Sequence, residues 1–198
     1  MDKRLEKKLV EKYPNIFRDY GGDIQRTCMG WGMSCGDGWF QLIDKLCEDI
    51  INIIGDETIE VIALQVKEKF GGLRFYYSIE ENPSVFKKLD NLIRNFMFSK
   101  RLGKQYWKVI NFKKKFWKTT HEKISDIVEQ AERDSYKICE TCGRPGEVRG
   151  SGWIKTSCEF CNEQFKEGKR PWEDKWEYPE SLTIYELMFG KDNEKKDN

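Results

Sequence analysis

Two matched cysteine pairs, Cys139-x-x-Cys142 and Cys158-x-x-Cys161, lie fifteen residues apart. No other feature constrains the chain so tightly. Four thiolates at this spacing can surround one ion as a tetrahedron, and zinc is the ion such sets suit best. Two residues between the members of a pair let one tight turn aim both sulfurs at the same point. Gly143 follows the first pair and Asn162 the second, and both residue types tolerate a left-handed backbone. Gly150-Ser151-Gly152 divides Glu147-Val148-Arg149 from Trp153-Ile154-Lys155, which reads as a hairpin returning the second pair to the first. The pattern predicts a zinc ribbon over 137–165, with Zn2+ as a structural cofactor. Four cysteines close the coordination sphere and leave no position for a reacting water. A redox dithiol is the competing reading, and the matching of two pairs argues against it.

The remaining chain must fold around this module. Its 198 residues suffice for one domain with a core, plus the ribbon. Charged residues make up 35%, yet the net charge is only +1. No global field marks a nucleic-acid or membrane protein, so any electrostatic function must be local. Residues 1–12 alternate charge with Leu5, Leu9 and Val10, unlike a signal peptide. No apolar run is long enough to span a bilayer. Seven cysteines, an odd number, fit a reducing compartment better than a disulfide framework. These observations predict a cytoplasmic protein.

Periodicity predicts an α+β fold: a small antiparallel sheet around a central β-hairpin, packed with amphipathic helices, with the ribbon appended. The core domain spans 1–136. Asp37 reads as the N-cap of a helix over 38–54 whose apolar face is Trp39, Leu42, Ile43, Leu46 and Ile50. The preceding glycine-rich loop, which also holds Cys28, Trp31 and Cys35, reads as a packed turn. Two β-rich runs flank Gly71-Gly72, which predicts a hairpin over 59–79 closed by those glycines. In that register Leu64, Val66, Glu68 and Phe70 face the core, with Leu73, Phe75, Tyr77 and Ile79 opposite. Further helices are expected at 84–98 and 120–136. The second follows a Thr119-x-x-Glu122 capping box and buries Ile124, Ile127, Val128, Ala131 and Ser135. A basic, aromatic stretch at about 95–118 reads as an insertion, and 166–198 as a C-terminal extension with a frayed end.

Four surfaces carry candidate chemistry. The outer hairpin face would present Gln65, Lys67, Lys69, Arg74 and Tyr76, cations on a rigid sheet suited to phosphate or carboxylate; the plain alternative is a solvated strand face. Glu68, among apolar neighbours, needs either a buried cationic partner or a catalytic use. Cys28, Cys35 and Cys47 read as small core residues, with a second metal site of Cys28, Cys35 and His121 as the alternative. The 95–118 stretch pairs Lys104, Lys108, Lys113 and Lys114 with Tyr106, Trp107 and Trp117, which suits either nucleic acid or a lysine-faced helical hairpin. For an enzyme, the sole histidine, His121, is poorly placed as a general base. Asp37, Glu60, Gln65 and Lys67 are the residues from which a metal-dependent nuclease or nucleotide hydrolase would be built.

The strings Cys28-x-x-Trp31-Gly32-x-x-Cys35-Gly36-Asp37-Gly38-Trp39, Gln65-Val66-Lys67-Glu68-Lys69-Phe70-Gly71-Gly72-Leu73-Arg74-Phe75-Tyr76 and Ala131-Glu132-x-x-Ser135, with the cysteine module, resemble a family of small phage and prophage proteins. The resemblance covers roughly residues 10–80 and 120–162 and leaves out the 95–118 stretch and the extension. It implies a phage or prophage origin but brings no chemistry. The residues themselves predict a non-enzymatic zinc protein that binds an anionic partner, nucleic acid or a nucleotide ligand, in host take-over or counter-defence. A protein–protein adaptor that docks on a host protein is the alternative.

Overall fold

The computed structural model describes residues 1–55, 59–81, 120–150 and 152–170. The helix expected at 84–98, the basic aromatic stretch and the C-terminal extension lie outside the described residues. Within them the fold is α+β, as the periodicity predicts. Helix α1 (Lys3–Lys12) begins at Asp2, whose side chain accepts the Arg4 N–H. Single 3-10 turns at Cys28–Trp31 and Asp37–Trp39 punctuate the glycine loop. Helix α2 (Phe40–Ile54) leads to strands β1 (Ile59–Lys69) and β2 (Gly72–Glu81), an antiparallel pair. A helix over 120–135, here α3, precedes the cysteine module of β3 (Glu147–Arg149), β4 (Lys155–Ser157) and helix α4 (Glu159–Lys166). Among the described residues no helix is long and apolar enough to cross a membrane.

One core lies between the hairpin's inner face and the helices. It joins Leu5 and Leu9 of α1, Ile43, Leu46 and Ile50 of α2, Val66, Leu73 and Phe75 of the hairpin, and Ile124 and Val128 of α3. The faces read from helical spacing are therefore the faces that are buried. One buried group has no apolar reason to be there. Glu6, 1% exposed, accepts from the Tyr20 hydroxyl, the Lys3 ammonium and the Met33 N–H. Those donors replace the water the carboxylate loses. Burial and the neighbouring carboxylate push the Tyr20 phenol up to about 12.

The hairpin differs from its expected register. Its two-residue turn is Phe70-Gly71, with φ of 54° and 77°, and Lys69 pairs with Gly72. Two successive positive φ values give the turn whose twist suits a hairpin. Gly72 cannot serve in the turn, because it is a strand residue on which the Tyr136 ring lies directly. Glu68 therefore faces Leu73 rather than Phe75. A bulge at Leu64 then reverses the alternation, so Ala63 is buried and Leu64 exposed. Phe70, expected inside, is 66% exposed at the tip.

Both edges of the hairpin are covered. Ser34 donates its N–H to Val66 and accepts that of Glu68, beside β1. Along β2, the Ser135 hydroxyl accepts the Leu73 N–H at 2.8 Å and the Glu132 carboxylate accepts the Phe75 N–H at 3.0 Å. Two side chains one turn apart on α3 thus reach alternate amides of a strand and satisfy donors that would otherwise be buried without partners.

The glycine loop packs against the cysteine module. Gly36 donates to the Glu140 side chain, Gly38 to the Glu140 carbonyl, and the Trp39 indole to the Ile138 carbonyl. A Cβ on Gly38 would overlap the Cys139 carbonyl and the Gly143 nitrogen, which are backbone atoms that cannot swing away. Gly38→Ala is therefore expected to destabilise the protein by roughly 3 kcal/mol or more, read as a lowered denaturation midpoint. Gly152→Ala meets nothing within 4 Å and should leave the midpoint in place. Equal midpoints for the two variants would refute this account of the loop.

Candidate metal centre

Each cysteine pair is aimed by a different local structure. The first pair sits on a tight knuckle: the Gly143 N–H bonds the Cys139 carbonyl, the Cys139 N–H bonds the Arg144 carbonyl, and Gly143 takes φ of 75°. The second pair was expected to form a like knuckle, with Asn162 left-handed. Instead Cys158 is the N-cap of α4, its sulfur accepts the Cys161 N–H, and Asn162 continues the helix. Helical geometry already places residues three apart on one face, so no left-handed residue is needed. A β3–β4 hairpin forms between the pairs, but its second strand is Lys155–Ser157 rather than Trp153-Ile154-Lys155, so Trp153 and Ile154 belong to the connection. The module is thus a knuckle, a hairpin and a helix.

The four Sγ atoms lie within 4.8 Å of one another, and all four cysteines are buried. Cys142 and Cys158 sulfurs are 3.6 Å apart, too far for a disulfide. A zinc ion with Zn–S bonds of 2.3 Å has tetrahedron edges of about 3.8 Å, so the set fits such an ion. As thiols the sulfurs compete for protons. Hydrogen bonds from Cys142 and then Cys161 hold Cys139 far below the usual thiol range, while Cys142 and Cys161 are pushed up because they donate to it. A cation resolves that competition by binding all four as thiolates. Among the described residues this is the one group of three or more histidine, cysteine or acidic side chains close enough to hold a metal ion. The module has little else inside it: its buried apolar cluster is the four cysteines, with Phe160 and Phe165 packed at the margin.

The other candidates fare differently. Cys28 is exposed, which corrects its reading as a core residue, whereas Cys35 and Cys47 are buried. Burial pushes the Cys35 thiol up to about 12. Cys28, Cys35 and His121 do not form a metal-sized group. Asp37 is not the expected side-chain cap of α2; its Oδ1 accepts the Asp2 N–H at 2.6 Å. Burial raises its pKa. Glu60 lies at the far end of β1, paired with Arg18, so it does not join Gln65 and Lys67 in one site. Among the described residues Glu68 has no cationic partner of the expected kind; its carboxylate accepts the Gly71 N–H at 2.6 Å and closes the turn.

On the outer hairpin face, Lys67 pairs with Arg74 and Gln65 with Tyr76. Arg74 is already engaged: it donates to the Tyr136 hydroxyl at 2.9 Å and the Leu73 carbonyl at 2.7 Å, and lies 3.6 Å from Glu132. Lys67 sits 5.3 Å from the Tyr76 ring centroid and Lys69 5.5 Å from that of Phe70. Neither lysine has a carboxylate in ion-pair contact among the described residues. Sequence reasoning met Glu132 only as part of a string, with no role, and assigned Glu6, Tyr136 and Glu140 no place at all. Glu6 could have been found, since it shares the stripe of Leu5 and Leu9. The chain matches no protein-family model, no curated protein and no solved structure.

Metal analysis of the purified chain is expected to give one zinc per molecule. Cobalt in its place should show the absorption of a tetrahedral thiolate site. Each protonated thiol must lose its proton to bind, so affinity is full at high pH and falls as pH is lowered. Cys139→Ser or Cys161→Ser should abolish retention of the metal. Full retention in both would show that the four sulfurs do not act as one site.

Proposed function

We propose that the protein is a zinc-stabilised, non-enzymatic binding protein that holds nucleic acid, as an anionic partner, on the outer face of the β1–β2 hairpin. Zn2+ is the ion that best suits four buried thiolates, and its role is to complete the module's interior. The contact residues are Gln65, Lys67, Lys69 and Tyr76, with Arg74 acting through the rigid frame it builds with Tyr136 and Glu132.

The observation that carries the reading is Phe70. It is the one non-glycine residue with positive φ among the described residues, and its ring is exposed. A bulky residue in that conformation costs free energy, and an exposed ring does not recover it by burial. Asn or Gly would serve the turn better. An aromatic at the tip beside Lys69, with Lys67 and Tyr76 behind it, instead suits stacking on bases and contact with phosphates. The two lysines stand on a sheet whose edges are both hydrogen-bonded, so little ordering is needed on binding.

The test is fluorescence anisotropy with labelled single- and double-stranded DNA and RNA across a range of salt. The double change Lys67→Ala, Lys69→Ala is expected to weaken binding at least tenfold. It should also flatten the dependence of log affinity on log salt by about 0.7 per lost phosphate contact on a single strand. Phe70→Asn should weaken binding while raising the denaturation midpoint. A wild-type protein that binds none of these probes at low salt would end this reading. Salt-insensitive capture of a host protein would then favour the adaptor.

A further inference from the structure

A second recessed surface lies on the cysteine module, away from the hairpin face. Thr156 and Ile154 turn toward the hairpin tip, where the Thr156 hydroxyl donates to the Gly71 carbonyl at 2.6 Å and Ile154 touches Gly71. Lys155, between them, points the other way at the start of β4, and Trp153 lies in the bend that precedes the strand. There they line a cleft of about 410 Å3 with Arg149, Asn162, Phe165 and Arg170. Trp153 is the most exposed large apolar side chain among the described residues, at 77%. The Lys155 ammonium lies 4.1 Å from the Phe165 ring centroid.

The charges in this cleft are not equivalent. Arg149 is neutralised: its guanidinium contacts Glu147 and Glu159, each at 2.7 Å. Lys155 and Arg170 have no carboxylate in ion-pair contact among the described residues. Arg170 donates to the Lys169 carbonyl, which orients its side chain. The cleft therefore offers two cations outside any ion pair among the described residues, with Lys155 in electrostatic range of the Glu140 carboxylate, together with an open indole face and a side-chain amide, Asn162, with both a donor and an acceptor. A volume of this size suits a small molecule.

We propose that this cleft is a nucleotide site: a base stacks on Trp153, its edge meets Asn162, and its phosphate lies between Lys155 and Arg170. An acidic peptide would satisfy the cations but would leave the indole face uncovered, whereas a nucleotide engages both at once. The same chemistry is offered by a free nucleotide and by one residue of a single strand. The site shares no residue with the hairpin face, so it goes beyond the function proposed above and stands or falls separately.

The experiment uses the zinc-loaded full chain labelled with 5-fluorotryptophan, with the Trp153 signal identified by its loss in Trp153→Phe. AMP, GMP, CMP and UMP, a short oligothymidylate, inorganic phosphate and a polyglutamate peptide are titrated in turn, and the fluorine signal is followed. At least one mononucleotide, or the oligothymidylate alone, is expected to shift the Trp153 signal saturably. The first outcome identifies a free-nucleotide site and the second a subsite for a strand; phosphate alone should shift it little. By titration calorimetry with the responding ligand, which needs no label at position 153, Trp153→Ala and Arg170→Ala should each weaken binding about tenfold with the metal content unchanged. Lys67→Ala, Lys69→Ala should leave the mononucleotide affinity unchanged, so failure at the hairpin and failure here are separable. A Trp153 signal that no nucleotide and no oligothymidylate moves overturns the proposal. So does a shift by polyglutamate alone, or an affinity that survives the Trp153→Ala, Arg170→Ala double change.

Discussion

The contact on which the rest of the structure depends is the one between the Cys139 knuckle and the glycine loop. Gly36 and Gly38 lie so close to the backbone of residues 139–143 that no side chain fits between them. Trp39, fully buried, then fastens the joint by donating to the Ile138 carbonyl. The knuckle's shape is set by the four cysteines. A four-cysteine cluster in the last third of the chain thus shapes the surface on which a loop in the first third packs. The core domain and the cysteine module share a joint and are not merely strung together.

A second joint repeats the principle at the hairpin tip. Gly71 meets β4, Gly72 meets the Tyr136 ring, and Glu132 and Ser135 close the edge of β2. Gly71, Gly72, Glu132 and Ser135 all belong to the residue strings singled out in the sequence. Their positions explain those strings as packing and hydrogen bonding between elements. Arg74 belongs to this group, since its guanidinium is spent on Tyr136, Leu73 and Glu132. Among the described residues, Lys67, Lys69, Phe70 and Tyr76 on the hairpin and Trp153 and Arg170 on the module are consumed by neither joint.

Much of this was legible in the sequence, and the exceptions have physical causes. Helical spacing gave the buried faces of α2 and α3, because a single stripe of apolar residues can be buried in only one way. The cysteine set was legible because four identical ligands at matched spacing have few other uses. The hairpin register was not, because both Gly71 and Gly72 could close a turn, and the choice rests on Tyr136, far away in sequence. The bulge at Leu64 left no mark, since Ala63 and Leu64 are both apolar. The glycines of the loop announced a constraint without saying what approached them. The partners Glu132, Tyr136 and Glu140 are ordinary polar residues whose roles depend wholly on the tertiary contact.

The span of these joints bears on how the chain reaches its native state. The hydrogen bonds that make them connect residues 62, 85 and 104 positions apart. Contacts of such long range are slow to form, because loop closure must be paid for before any of them is gained. During synthesis the glycine loop and the hairpin leave the ribosome well before the cysteines that complete them. Until then the loop's amides and the inner face of Trp39 have only solvent or a chaperone to meet. Closure of the four-cysteine cluster is therefore a late, clasping event, on which the final packing of a loop made about a hundred residues earlier has to wait.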